Sequence, residues 1–167
     1  MKHDGFNKLY VEELKDLYSA ETQLTKALPK MAQAASSEQL RQAFEQHLKE
    51  TEGHVQRLEQ IFEKLEWSPR GKRCKGMAGL IEEGSELIGE KGALDADVLD
   101  AGLIAAAQRV EHYEIAAYGT ARAFAEQLGH REAAQLLQQT LDEEYAADKH
   151  LTAIAEGGVN QEAQAQS

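Results

Sequence analysis

The chain has 167 residues, a length typical of one domain. Hydrophobic residues make up 42% and charged residues 28% of it, which is the balance of a globular protein rather than of a disordered one. Acidic residues outnumber basic residues by 29 to 18, and the net charge of -11 argues against nucleic acid or an anionic membrane surface as a partner.

Periodic apolar residues predict two long helices in the first part of the chain. The first is expected over about residues 7–35, where apolar side chains recur every three or four positions. Pro29 lies near its end and is expected to kink the helix or to loosen its last turns. Ser36 and Ser37 offer an N-cap for a second helix that ends near Leu65. The short connection between the two helices predicts a tight hairpin.

A long connection follows this hairpin and leads to a second one. Residues 66–75 interrupt the helical period, and a short helix is expected over about residues 77–90. Two more long helices are predicted over about residues 95–128 and 131–155, with Gly129 between them. Residues 157–167 have no apolar period, so we expect a flexible tail there and a folded domain over residues 1–156.

The two predicted hairpins repeat one design. The alignment that places Glu21 on Glu114 also places Phe44 on Leu137. Short turns within the hairpins and one long connection between them are typical of a four-helix bundle with one long crossover. We therefore predict an all-α fold of this type, with the short fifth helix in the crossover.

The sequence also argues against membrane insertion and export. No apolar run approaches the roughly 20 residues that a membrane helix needs. Residues 1–10 lack the apolar region of a secretory signal, and the single cysteine, Cys74, excludes an internal disulfide. We expect a cytoplasmic protein.

Four acidic residues are predicted to face the core of the bundle. At about 100° per residue, Glu21 and Glu114 lie at the centres of the apolar stripes of the first and third long helices. Glu144 lies at the centre of the fourth stripe, and Asp148 follows one turn later. Burial of several carboxylates without positive charge costs more than the net stability of a domain. Basic residues are nearly absent from these inward positions, so we predict a bound cation.

The contribution of the second long helix stays open at this point. His47, Glu50 and His54 share one shoulder of its apolar stripe. We expect Glu50 and His54 to complete the ligand shell, with His47 as an alternative and with Glu111 of the third helix as a reserve ligand. Carboxylates with one or two imidazoles suit iron or manganese, and zinc is a further option.

Several motifs of the chain are similar to those of a known protein family. They are the segments DLYSAETQLTKALPK at residues 16–30, HLKET at 47–51, GLIEE at 79–83, VEHYEIA at 110–116 and TLDEE at 140–144. Over residues 9–155 the chain resembles the YciE/YciF-like stress proteins of bacteria, a branch of the ferritin-like superfamily. The resemblance implies a ferritin-like bundle, a homodimer and a role in stress responses.

The wider superfamily binds two metal ions through a Glu from each of two helices and a Glu-x-x-His from each of the other two. Here Glu50 and His54 are four residues apart, and no histidine is in register with Glu144 and Asp148. We predict a dinuclear iron or manganese site, two ions per chain, that oxidises ferrous iron or scavenges peroxide. If the protein is an enzyme, it is a di-metal oxidoreductase. The alternative is a stress-induced dimeric structural or interaction protein with a degenerate site and no catalysis.

Overall fold

The computed structural model describes residues 5–166, and over this range the chain forms helices and no β-strand. The helices are α1 (Gly5–Ala34), α2 (Glu38–Leu65), α3 (Lys75–Gly89), α4 (Ala96–Gln127), α5 (Arg131–Ile154) and, after a π-helical turn (Ala155–Val159), α6 (Asn160–Gln164). None of these helices combines the length and the apolar character that crossing a membrane requires. Residues 1–4 of the predicted domain and Ser167 of the predicted tail lie outside the described residues.

The four long helices form a bundle of two hairpins. The α1–α2 hairpin and the α4–α5 hairpin pack together through contacts of α1 with α4 and of α2 with α5. The connection from α2 to α4 carries α3, which packs against α1 and α4. The predicted all-α bundle with one long crossover and a short fifth helix is confirmed.

The turns of both hairpins contain the signals expected from the sequence. Ser37 is the N-cap of α2, and its side chain accepts a hydrogen bond from the amide of Leu40. The buried carboxylate of Asp100, on α4, accepts hydrogen bonds from the amides of Ser36 and Ser37 at 2.8 and 2.7 Å. Asp100 thereby ties the α1–α2 turn to the second hairpin. In the α4–α5 turn, Gly129 has a φ of +79°, a conformation that favours glycine.

The carboxyl-terminal segment differs from the expectation. The sequence predicts no regular structure after Gly157, whereas the chain continues through the π-helical turn into α6. Val159 is buried and packs in the same apolar cluster as Ile154 and Ala155. A single apolar anchor among Gly, Ala and Gln cannot produce a period in the sequence, so this docking had no pattern from which it could be predicted.

The core of the bundle consists of two apolar clusters. The first lies toward α3 and includes Leu24, Leu28, Phe44, Leu103 and Leu151. The second lies toward the α4–α5 turn and includes Leu14, Leu17, Phe62, Leu137 and Leu141. Buried polar residues occupy the helical turns between the two clusters. The polar layer is therefore in the middle of the bundle.

Candidate metal centre

Six charged or titratable side chains form the polar layer. They are Glu21 on α1, His47 and His54 on α2, Glu111 and Glu114 on α4, and Glu144 on α5. None of the six is more than 7% exposed to solvent. Each of the four long helices contributes at least one of them, so the layer exists only where both hairpins meet.

The six side chains form two groups with one shared member. Glu21, His54 and Glu144 make the first group, and His47, Glu111, Glu114 and Glu144 make the second. Within each group, one nitrogen or oxygen atom of every residue lies within 4.8 Å of the corresponding atoms of the others. Both groups could hold a metal ion, with Glu144 between the two positions.

The first group is organised around the imidazole of His54. Its Nδ1 lies 3.1 Å from Oε1 of Glu21 and 3.0 Å from Oε1 of Glu144. Its Nε2 lies 2.8 Å from Oε2 of Glu143, which in turn accepts two hydrogen bonds from Arg57 at 2.7 and 2.8 Å. A carboxylate on the outer nitrogen is the arrangement that orients histidine ligands of metals.

The second group contains close atoms that are not hydrogen-bonded. Nε2 of His47 lies 2.9 Å from Oε1 of Glu111 and 3.9 Å from Oε2 of Glu144. Neither ring nitrogen of His47 has a hydrogen-bond partner of acceptable geometry, and Oε2 of Glu111 also lacks one. Ligand atoms of His47, Glu111, Glu114 and Glu144 thus lie within 4.8 Å of one another, close enough to share one cation.

Unpaired buried atoms are concentrated in this layer. Among residues 5–166, ten buried side-chain nitrogen or oxygen atoms lack a hydrogen-bond partner, and eight of the ten belong to the two groups. They include both carboxylate oxygens of Glu114 and both of Glu144. Each unpaired buried polar atom costs about 1–3 kcal/mol. A cation at each group would satisfy these atoms, and the residues present therefore fit a metal site.

Burial and mutual repulsion raise the pKa values of two of the carboxyl groups, those of Glu114 and Glu144. Burial and the charge of Glu144 raise the pKa of Glu114 well above its usual range. Burial and the proximity of Glu111 raise the pKa of Glu144 to about 8. Glu111 differs, because the neighbouring His47 lowers its pKa in spite of its burial.

The two imidazoles compensate the remaining negative charge. Burial alone would disfavour the imidazolium of His54, yet Glu144 and Glu21 raise its pKa to about 10. Burial acts the same way on His47, and Glu111 nevertheless raises its pKa well above the usual value. Without metal, protons on the imidazoles and carboxyls balance the charge of the layer, and a metal ion would displace them.

The structure brings together four of the residues that the sequence points to: Glu21, His54, Glu114 and Glu144. It does not bring Glu50 or Asp148 into either group. Glu50 lies at the outer side of His47, with its Oε2 3.6 Å from Nδ1 and its side chain 31% exposed. It sits at the edge of the inward face of α2.

Asp148 faces α4 instead of the polar layer. Its Oδ2 lies 3.1 Å from Nε2 of His112, and its Oδ1 accepts a hydrogen bond from Gln108 at 3.3 Å. One turn of α5 separates it from Glu144, a rise of about 6 Å. That distance places its carboxylate beyond the height of the two groups.

Two members of the groups, His47 and Glu111, were left open by the sequence. His47 precedes His54 by seven residues, and Glu111 precedes Glu114 by three. Both spacings return a side chain to the same face of a helix. These spacings are visible in the sequence, but the angular positions of His47 and Glu111 on their helices do not distinguish them as ligands from neighbouring polar residues.

Two tyrosines, Tyr18 and Tyr118, lie about one helical turn from Glu21 and Glu114 in the sequence. Tyr118 donates a hydrogen bond from its hydroxyl to Oε1 of Glu21 at 2.6 Å and is fully buried. Tyr18 donates to Glu59 at 3.1 Å and turns away from the layer. Tyr118 therefore orients a side chain of the first group, whereas Tyr18 does not contact either group.

Comparison with known proteins is consistent across sequence and structure. The family described as Domain of unknown function (DUF892) matches residues 5–164. Protein YciF of Escherichia coli strain K12 is 51% identical over 157 residues, which are 93% of this chain and 93% of YciF.

The similarity extends to solved structures. The crystal structure of the E. coli stress protein YciF matches with a TM-score of 0.88 and 49% identity, covering 96% of this chain and 99% of that one. YcfI of Rhodopseudomonas palustris, for which a structural role has been suggested, matches with a TM-score of 0.85 and 45% identity, covering 91% and 97%. The chain therefore belongs to the DUF892 family and is a relative of YciF of E. coli.

Proposed function

We propose that this chain is a stress-associated, ferritin-like protein that binds two iron or manganese ions and uses them to oxidise ferrous iron or to remove peroxide. The ligands in this proposal are Glu21, His47, His54, Glu111, Glu114 and Glu144. The observation that carries the proposal is the sharing of Glu144 by two groups of buried, convergent and largely unpaired ligand atoms. A carboxylate between two metal positions is what a dinuclear centre needs.

The number and type of the ligands support the proposal as well. The dinuclear carboxylate proteins of the superfamily use four glutamates and two histidines. Here Thr51 stands three residues before His54, and Ala147 stands three residues after Glu144, so neither Glu-x-x-His pair is complete. Glu111 and His47 restore the same total of four glutamates and two histidines from other helical turns.

Charge balance favours two divalent ions over one. The four carboxylates carry four negative charges when ionised, and two divalent cations neutralise them while both imidazoles stay neutral. Mixed oxygen and nitrogen ligands suit iron and manganese, with zinc as the competing ion. Iron or manganese would supply one-electron redox chemistry at the centre.

The residues of the chain have separable roles in this proposal. Tyr118 holds the carboxylate of Glu21, and the pair of Glu143 and Arg57 holds His54 through its outer nitrogen. Without metal, Glu114, whose pKa is raised by burial, retains a proton that a metal ion at the second group would displace. Burial of Glu21, His54 and Glu144 keeps bulk water away from the first group.

Metal analysis tests the proposal directly. Protein purified without added metal, then loaded with iron or manganese, is expected to contain about two ions per chain, about one in Glu114→Ala and almost none in Glu144→Ala. The exposed-site variant Glu63→Ala should bind as the wild type does. Loaded samples are then assayed for oxidation of ferrous iron and for peroxide consumption.

The same samples test the other parts of the proposal. We also propose a cytoplasmic homodimer, so sedimentation equilibrium should give twice the chain mass of 18.5 kDa. If the wild type takes up no metal and Glu144→Ala melts at a higher temperature than the wild type, the buried acids are not ligands. That result would favour a structural or interaction protein.

A further inference from the structure

A cavity of about 570 Å³ opens to the surface between α2 and α5 and reaches the second group. Its inner wall consists of apolar side chains of the core, among them Leu24, Phe44 and Val110. At its inner end lie His47 and Glu111. The cavity is thus an open route from solvent to one half of the proposed metal centre.

Small side chains on the facing helices leave this space open. Ala43 of α2 and Ala146 and Ala147 of α5 line the cavity. Ala147 occupies the position, three residues after Glu144, where the superfamily pattern would place a histidine. The histidine is supplied from α2 instead, as His47, and the volume that a ring on α5 would fill stays empty.

The lining selects the chemistry of a ligand. Apart from the inner end, the polar lining residues lie at the rim and include Gln42, Gln46, Glu50 and His150, and no lysine or arginine is among the lining residues. An anionic ligand would therefore meet Glu50 and no lysine or arginine, and the imidazole of His47 at the inner end already faces Glu111 at 2.9 Å. The volume falls within the range of about 300–1,000 Å³ that is typical of small-molecule sites. The rim is too polar for the apolar face of a partner helix.

We propose that this cavity binds a neutral, largely apolar organic molecule beside His47 and Glu111, as an organic substrate of the centre. His47 and Glu111, both buried, line the inner end, so a molecule that fills the cavity would end beside the second group. The role as substrate rests on the proposed function, whereas binding in the cavity does not require metal.

Fluorine NMR of the metal-free full chain tests the binding, with 1-fluoronaphthalene as the probe. We expect saturable binding to the wild type and a loss of affinity of about tenfold or more in Ala147→Phe, because the new ring fills the cavity. Ala146→Phe, at an exposed lining position, should weaken binding without disturbing the core. Ala153→Phe, exposed on α5 outside the cavity, is the matched control.

The head group is tested by competition. 1-Decanol should displace the probe at lower concentration than decanoate does, since the lining offers a carboxylate no lysine or arginine and the imidazole of His47 already faces Glu111. Equal binding of the probe to the wild type and to both lining variants would overturn the proposal. A second outcome would also overturn it: the wild type loses probe binding when it dimerises, and Ala146→Phe stays monomeric. A second copy of the chain would then cover the cavity.

Metal loading separates this inference from the proposed function. With Mn²⁺ bound, the resonance of the bound probe should broaden strongly compared with the Zn²⁺-loaded protein, because the probe lies beside a paramagnetic ion. Unchanged width in protein shown to contain Mn²⁺ would overturn the placement. If no metal binds but the lining variants still abolish probe binding, the proposed function fails and the cavity is supported as a binding site in its own right.

Discussion

His54 is fixed on both sides of its ring, and the outer contact is as specific as the inner one. Glu143 accepts at Nε2, and Arg57 holds both oxygens of Glu143. Burial opposes ionisation of Glu143, yet the hydrogen bonds from Arg57 and His54 lower its pKa. An ionised Glu143 keeps the proton of His54 on Nε2 and so leaves Nδ1 free to face the first group.

Glu143→Gln should therefore weaken metal binding without removing a ligand. We expect affinity at the first group to fall by about 10–100-fold, because the amide no longer fixes the ring and its tautomer as the carboxylate does. Titration against a chelator of known affinity measures the change. Glu63→Gln, at an exposed position on α2, should leave affinity unchanged, and wild-type affinity in Glu143→Gln would mean that Glu143 does not support His54.

At the scale of helices and turns, Asp100 joins the two hairpins. Its two oxygens accept the amides of Ser36 and Ser37, which precede α2 and have no other means of pairing within that helix. Asp100 itself is buried, at 2% exposure, so its carboxylate is held in place between the two hairpins. The position of α2, and with it of His47 and His54, depends on this contact.

Asp100→Ala should lower the free energy of unfolding by about 2 kcal/mol, since the amides of Ser36 and Ser37 lose a charged acceptor and a buried side chain is removed. Chemical denaturation of the metal-free protein measures this value. Asp142→Ala, an exposed aspartate on α5, should change stability by less than about 0.5 kcal/mol. Equal effects of the two substitutions would show that the α1–α2 turn is held by other contacts.

Elements of this fold were predictable because their signals are local. The apolar period, Ser37 and Gly129 each act within a few residues, and the long helices begin and end close to where the sequence places them. Ligand choice on α2 was less predictable, since His47 and Glu50 lie within about 60° of each other on the helix and side-chain reach decides between them. The cavity beside Ala147 left no signal, because it arises from two helices that are distant in sequence.

The whole molecule should respond to pH through the polar layer. The pKa values of His54, at about 10, and of Glu144, at about 8, lie above those of the same groups in an unfolded chain. The folded state thus binds more protons, and this stabilisation is present in full at low pH and is lost as pH rises through the folded pKa values. Glu111 has a lowered pKa and therefore the opposite effect: its contribution to stability is lost as pH falls, and this loss occurs only at acidic pH.

Metal-free protein should therefore melt at least about 5 °C lower at pH 9 than at pH 6. In metal-loaded protein the melting temperature should fall less between pH 6 and pH 9, or should rise, because protons compete less with the cations for the ligands as pH rises. Thermal melts monitored by circular dichroism compare the two forms. A metal-free protein whose melting temperature rises toward pH 9 would show that the layer does not carry these extra protons.

Each group of ligands draws on both hairpins, with Glu21 and His54 from one joined to Glu144 of the other. Neither hairpin alone could hold an ion with a complete set of ligands. An ion bound at the first group would join Glu21 to Glu144, more than a hundred residues away in the sequence, and would stabilise the folded state because the ligand set exists only there. In a chain with one cysteine, Cys74, metal would be the available substitute for a disulfide.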